Sequence, residues 1–320
     1  MENRTTNKST VLAKVLELTL VRKFIIFLKS VYLPGFDKLP IYGVIVFFVK
    51  GLRDGALITR ASSLAFKFFL AIFPSLIFLI TLIPYVPIAN FQDELLMLIH
   101  SFLPAGAYSA TKDTLEDLIK NQNGGLLSFG FIFALYLATD GMHSVINAFN
   151  LSIHARESRN FFKIRGISII LIVILTLLLM FSIALIVFSE VLFSYLVRNN
   201  FVNDSFTFYF LLVGKWTITL SLFFFAFSFM YWLGPDSKNE FRFFSAGSTF
   251  ATFLSIVISL GFAFYVNNFG NYNKLYGSIG TVMVVMLWMY FNAIVLLLGF
   301  ELNASLQLAR QEETRLDDLI

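Results

Sequence analysis

The chain has 320 residues, 58% of them apolar and 17% aromatic, with a mean hydropathy of +0.78 and a net charge of +4. No soluble domain is this apolar, so the composition requires a polytopic membrane protein, and the small positive charge is no footprint for nucleic acid. Cysteine is absent and there are three histidines, which excludes a disulfide framework and a thiolate metal site.

The polar start MENRTTNKST is followed by no short apolar core, so a cleaved signal peptide is not expected. Residues 11–33 and 41–58 are apolar but broken by Lys14, Glu17, Arg22, Lys23, Lys29, Lys50, Arg53 and Asp54. Runs this short of the ~20 residues a span needs read as helices lying on the membrane. Residues 1–60 are therefore assigned to the cytoplasmic face.

The first span is expected near 61–86, with Pro74 as a kink and Pro84 and Pro87 as a stop. Segment 88–123 is the outer loop. Phe91, Leu95, Leu98 and Phe102 share one helical face, as do Leu115, Leu118 and Ile119, which predicts an amphipathic helical hairpin. Further spans are expected at 125–149, 166–197, 206–233, 243–266 and 277–306, leaving a tail at 307–320. The fold class is all-α: six transmembrane helices preceded by interfacial helices.

On the second span Asp140, His143, Asn147, Asn150 and His154 fall within an arc of about 80°. A carboxylate in hydrocarbon costs roughly 2.5–3.5 kcal/mol, so Asp140 must face protein or water. The face reads either as a pathway lining or as polar packing, and it runs into a basic loop: Arg156, Arg159, Lys163 and Arg165. The fifth span carries Ser245, Ser248, Thr252, Ser255 and Ser259 on one side, with Gly247 and Ala251 spaced for close helix contact. The sixth holds Asn292 at mid-depth and Glu301 and Asn303 at its end.

Depth counting pairs Lys67 with Asp140 and Glu190 with Lys215, one pair in each half of the bilayer. These residues, with His143, Asn147 and Asn292, are the candidate polar path or gates; static stapling explains the pairs equally well. Gly277, Ser278 and Gly280 at the sixth span's start are a candidate contact for an anion or lipid headgroup, or tight packing. Asp140 and His143 alone make no metal site, and no Walker, GxSxG or GxGxxG pattern precedes a helix. Neither an enzyme nor a cofactor is expected. Segments placed inside hold eighteen Lys and Arg against four outside, so both termini are expected in the cytoplasm.

Three stretches carry a resemblance: TRASSLAFKFFLAIFPSLIFL (59–79), the run from Asp140 to Arg165, and NNFGNYNKLYGSIGTVMVVMLWMYFNAIVLLLGFELNASL (267–306). Together they resemble the YihY/BrkB family of bacterial inner-membrane proteins. The resemblance implies a six-span, multi-pass protein of the inner membrane without a settled substrate. Family members are linked to virulence, to export of lipidic or amphipathic cargo and to cation/proton exchange; an older ribonuclease BN label is not supported by such sequences. Lys67 stands where the family usually has an aromatic residue. Three functions follow as expectations: transport of an amphipathic or lipidic solute, cation/proton antiport through Asp140, or a non-transporting scaffold. The expected partners are membrane lipids and such a solute or coupling ion.

Overall fold

The computed structural model describes residues 57–86, 90–102, 105–153, 157–199, 204–236, 242–269 and 278–317, together with Tyr42, Val44, Ile45, Val46, Phe48 and Val49. The surface helix expected over 11–33, His154, Arg156 and Gly277 lie outside the described residues.

All regular structure described is helical: α1 (Leu57–Leu82), α2 (Phe91–Phe102), α3 (Ala105–Lys120), α4 (Gly124–Ser152), α5 (Phe161–Arg198), α6 (Asp204–Leu233), α7 (Ala246–Phe269) and α8 (Ser278–Asp317). Six of them are long and apolar enough to cross a membrane: α1 and α4–α8. They alternate in direction. We call the end where α1 begins and α8 finishes the base, and the opposite end, which carries the α2–α3 hairpin, the crown.

Helix ends follow local chemistry rather than bilayer thickness. The Asn160 side chain accepts the Lys163 N–H at 2.9 Å, so α5 starts at Phe161 and not at the expected 166. Asn123 caps α4 in the same way through the Leu126 N–H at 3.0 Å. Glu301–Asp317 contains neither Gly nor Pro, and α8 runs on past the expected end at 306. Pro74 lies inside α1 without ending it. The outer segment forms the expected hairpin, α2 and α3, with Leu96 and Ile119 buried and Lys120 2.9 Å from Asp93.

Neighbours in space run α1–α4–α5–α6–α7–α8 and back to α1, a closed ring, and α4 also touches α8 across it. Two seams depend on missing side chains. A Cβ on Gly130 would stand 3.2 Å from the Phe78 backbone nitrogen, which brings α4 close to α1. A Cβ on Gly247 would collide with the Gly299 carbonyl oxygen, and one on Gly299 would lie 2.6 Å from the Ala251 Cβ. The Gly247–Ala251 spacing thus finds its partner in Gly299 on α8.

The core sits at the base. Buried residues gather in Leu57–Ala65 of α1, Thr139–Ser152 of α4, Ile164–Leu171 of α5, Phe227–Tyr231 of α6, Gly247–Ser255 of α7 and Ala293–Ser305 of α8. Val44 and Phe48 pack against Leu302, Ala309 and Phe250 at the same end. Toward the crown the packing thins, although Phe193 still meets Phe210 at 4.5 Å and Phe262 meets Phe291 at 6.3 Å. No residue is buried in 209–226 of α6, 256–266 of α7 or 282–292 of α8. Several turns of helix with half-buried but no fully buried positions make this half of the ring more loosely packed than the base.

Candidate functional site

Where the ring closes, a buried cation joins three helices. Arg60, in the first turn of α1, donates from Nη1 to the Ala148 carbonyl and to Ser152 Oγ, both at 2.7 Å. Its Nη2 donates to Glu301 Oε1 of α8 at 2.8 Å, and Ser152 Oγ donates to the same oxygen at 2.9 Å. The side chains of Arg60 and Glu301 are 9% and 2% exposed. Ions this dry survive only when each meets its opposite and its hydrogen bonds are made, and here a single planar guanidinium does so for α1, α4 and α8 together. Its Nε alone lacks a partner.

An aromatic plug sits at the same level. Phe149 stacks on Phe300 with centroids 4.2 Å apart, and Tyr231 meets them at 5.5 and 5.7 Å. All three are fully buried, and the Tyr231 hydroxyl donates to the Leu296 carbonyl at 2.8 Å. Helices α4, α6 and α8 are thereby drawn to one point. Beside it, Asn303 of α8 accepts the Gly247 N–H at 2.7 Å and donates to Ser245 Oγ at 2.9 Å, closing the start of α7.

The loops at the base are tied by a second network. Arg159 donates to both Glu157 oxygens, at 2.6 and 2.8 Å, and to the Gly234 carbonyl at 2.9 Å. Asn150 donates to Glu157 at 2.7 Å and accepts the Asp236 N–H at 2.8 Å. Asp236 accepts the Ser158 amide and hydroxyl at 2.5 and 2.6 Å. Burial alone would raise the Asp236 carboxyl; the two Ser158 bonds and the Arg159 charge outweigh it and hold it below the usual carboxylate range. Arg159 is 7% exposed, so it serves this network and is no free member of a basic loop.

The residues singled out from the sequence separate into groups. Lys67 Nζ lies 2.8 Å from Asp140, each 34% exposed. Asp140 is nine residues from Phe149, half a turn out of phase, so it sits on the outer flank of α4 and not on the plug side. Asn147 is exposed and His143 half-buried, while Asn150 is buried in the loop network. The expected polar stripe is therefore divided between an outer flank and a base loop. Arg165 places its guanidinium 5.3 Å from the Tyr136 ring, one turn from Asp140. Because Arg165 is the last charge before the run Gly166–Phe188, about 35 Å long, this flank lies toward the headgroups. Glu190 and Lys215 meet at 2.6 Å, both about half exposed. Asn292 is satisfied within its own helix, donating to the Trp288 carbonyl at 2.8 Å. Gly280 is buried and Ser278 opens α8. Sequence reasoning missed the Arg60–Glu301 lock. Its signal was a charge one turn inside each end of the apolar pattern, in the two stretches RASSLA and FELNAS.

The profile of the family described as virulence factor BrkB matches residues 48–318. The chain belongs to the virulence factor BrkB family. Among its relatives, the "ribonuclease-like protein YfkH" of Bacillus subtilis (strain 168) is 35% identical over 78% of this chain and 89% of its own length. A "UPF0761 membrane protein" of Vibrio campbellii is 24% identical over 82% of this chain and 83% of its own. One of Chromohalobacter salexigens is 30% identical over 82% and 62%. No solved structure matches the chain. The BrkB match contains Arg60, Ser152 and Glu301, and with them the whole ring.

Proposed function

We propose that this BrkB-family protein is transporter-like, moving an amphipathic or lipidic solute through the ring of six helices, and that the conformation described is closed at the base. The observation that supports this is the packing asymmetry. The base is dry, plugged by Phe149, Tyr231 and Phe300 and pinned by Arg60 and Glu301, while the crown half of α6, α7 and α8 buries nothing. A structural bundle gains by packing along its whole length, whereas alternating access needs one end closed while the other is open. The exposed side chains of the crown half, such as Phe210, Trp216, Phe264 and Trp288, are mostly apolar and aromatic, which suits an amphipathic cargo better than a bare ion.

On this reading the Arg60–Glu301 bridge is the base gate. Asp140 is a weaker candidate for ion coupling, since Lys67 already supplies its counter-charge. The excess of Lys and Arg in the segments assigned to the inside from the sequence, eighteen against four, supports a bacterial inner-membrane placement with the base and both termini in the cytoplasm. We assign no catalysis to the chain; the ribonuclease wording belongs to the Bacillus subtilis relative.

The test is reconstitution into liposomes. A fluorescent lysophospholipid should exchange between leaflets or compartments faster with the protein than in empty vesicles. Arg60→Gln combined with Glu301→Gln, which leaves no charge stranded in the dry base, should change that rate. Exchange no faster than in empty vesicles, across a range of amphiphiles, would leave the scaffold reading in its place.

A further inference from the structure

We propose that Arg165, with Tyr136 and Phe161, forms a binding site for the phosphate of an anionic membrane lipid on the outer flank of the α4–α5 seam. The other described base-half cations that are at least half-buried, Arg60, Lys67 and Arg159, each meet a carboxylate, at 2.8, 2.8 and 2.6 Å. Among the described residues no carboxylate pairs with Arg165. Its Nη1 is enclosed without a hydrogen-bond partner, and its contacts are two rings: Tyr136 at 5.3 Å and Phe161 at 5.7 Å from Cζ. Aromatic faces attract a guanidinium but do not neutralise it. A cation half out of water with no counter-ion has an unfilled electrostatic demand.

Location decides what fills it. Arg165 ends the polar approach to α5, and the charge-free run Gly166–Phe188 follows, long enough to cross the hydrocarbon. The guanidinium therefore lies where lipid phosphates lie. Phe161 and Phe162 in the first turn of α5 are 60% and 82% exposed, the posture of an interfacial aromatic anchor, and Lys163 beside them is exposed as well. Phe133, one turn further along the same flank of α4, is exposed and offers an apolar surface for an acyl chain. A soluble phosphate would use the cation and gain nothing from these rings; a lipid uses both. The site lies outside the ring, so it does not depend on the transport reading.

The experiment uses the full chain, purified in detergent and stripped of lipid, titrated with dioctanoyl phosphatidylglycerol and followed by native mass spectrometry and thermal unfolding. The wild type should take up one lipid and gain thermal stability. Arg165→Gln should bind about tenfold more weakly or worse, the scale of losing one charge-assisted contact. Arg165→Lys keeps the charge but not the planar stack, and should fall between. Dioctanoyl phosphatidylcholine should bind more weakly than the anionic lipid. Equal binding by wild type and Arg165→Gln overturns the proposal. So does an equal effect of inorganic phosphate alone, which would make this a soluble-anion site. If Arg165→Gln does not fold, Arg165→Lys decides: affinity unchanged from wild type would rule out the stacked guanidinium as the site.

Discussion

Removing one partner of a buried ion pair leaves the other charge stranded, which typically costs 3–5 kcal/mol. Arg60 and Glu301 meet that condition at 9% and 2% exposure, so Arg60→Met should lower the unfolding temperature in detergent sharply. The double variant Arg60→Met with Glu301→Leu should recover much of the loss, because no charge is then left in the dry base. Lys67 and Asp140 are each a third exposed, and Asp140→Asn should cost under about 1 kcal/mol. A thermal-shift series with both pairs checks the contrast; equal losses would mean the two pairs are equally dry. The depth count found Lys67–Asp140 and Glu190–Lys215 because each joins two long apolar helices that follow one another along the chain. Arg60 and Glu301 are 241 residues apart, and nothing local says that α8 returns to α1. Asn147 marks a different limit: a helical face can be drawn from spacing, but which side of it meets protein depends on where the other helices stand.

At the level of elements, the loop network makes a prediction about pH. The Asp236 carboxyl is held below the ordinary aspartate value of 3.8 in the folded chain. A group with a lowered folded pKa stabilises the fold above its unfolded value and loses that contribution as pH falls through the folded one. The tie between Ser158 and Asp236 should therefore hold near neutrality and fail in acid below about pH 3.8. The hydrogen-exchange protection of the Ser158 amide should fall in that window, and in Asp236→Asn it should be low and flat. The α7–α8 seam gives a steric prediction. Gly247→Ala would drive a methyl group into the Gly299 backbone, and overpacking of this kind typically costs 1–3 kcal/mol. Gly261, whose added Cβ would meet nothing within 4 Å, is the control: Gly261→Ala should be neutral or mildly stabilising in the same unfolding assay. The small-residue spacing on α7 was legible in the sequence because it is a periodicity of one helix. Its partner Gly299 was not, since partner choice is set by the ring. The helices run past the expected span edges near 166 and 306 because bilayer arithmetic says where lipid ends, while Asn160 and the unbroken Glu301–Asp317 run say where the helix ends.

For the molecule as a whole, the class, the six long apolar helices and the α2–α3 hairpin were legible from hydropathy and periodicity, because each is a property of a contiguous stretch. The order of helices around the ring and the dry base beneath a more loosely packed crown are properties of contacts between stretches, and these carry the functional reading. They can be tested together because the chain contains no cysteine. Met286 of α8 is half-buried and lies fourteen residues before Phe300, nearly in phase with it, so it faces the ring above the plug. Met286→Cys in sealed vesicles should react with a membrane-impermeant maleimide added on the crown side and stay unmodified when the reagent is added at the base. With Arg60→Gln added, the base gate loses its pin, and modification from the base should rise while the crown-side reaction persists or slows. Reaction from neither side in either background would mean that the crown half closes in the membrane, and the path through the ring would have no physical basis.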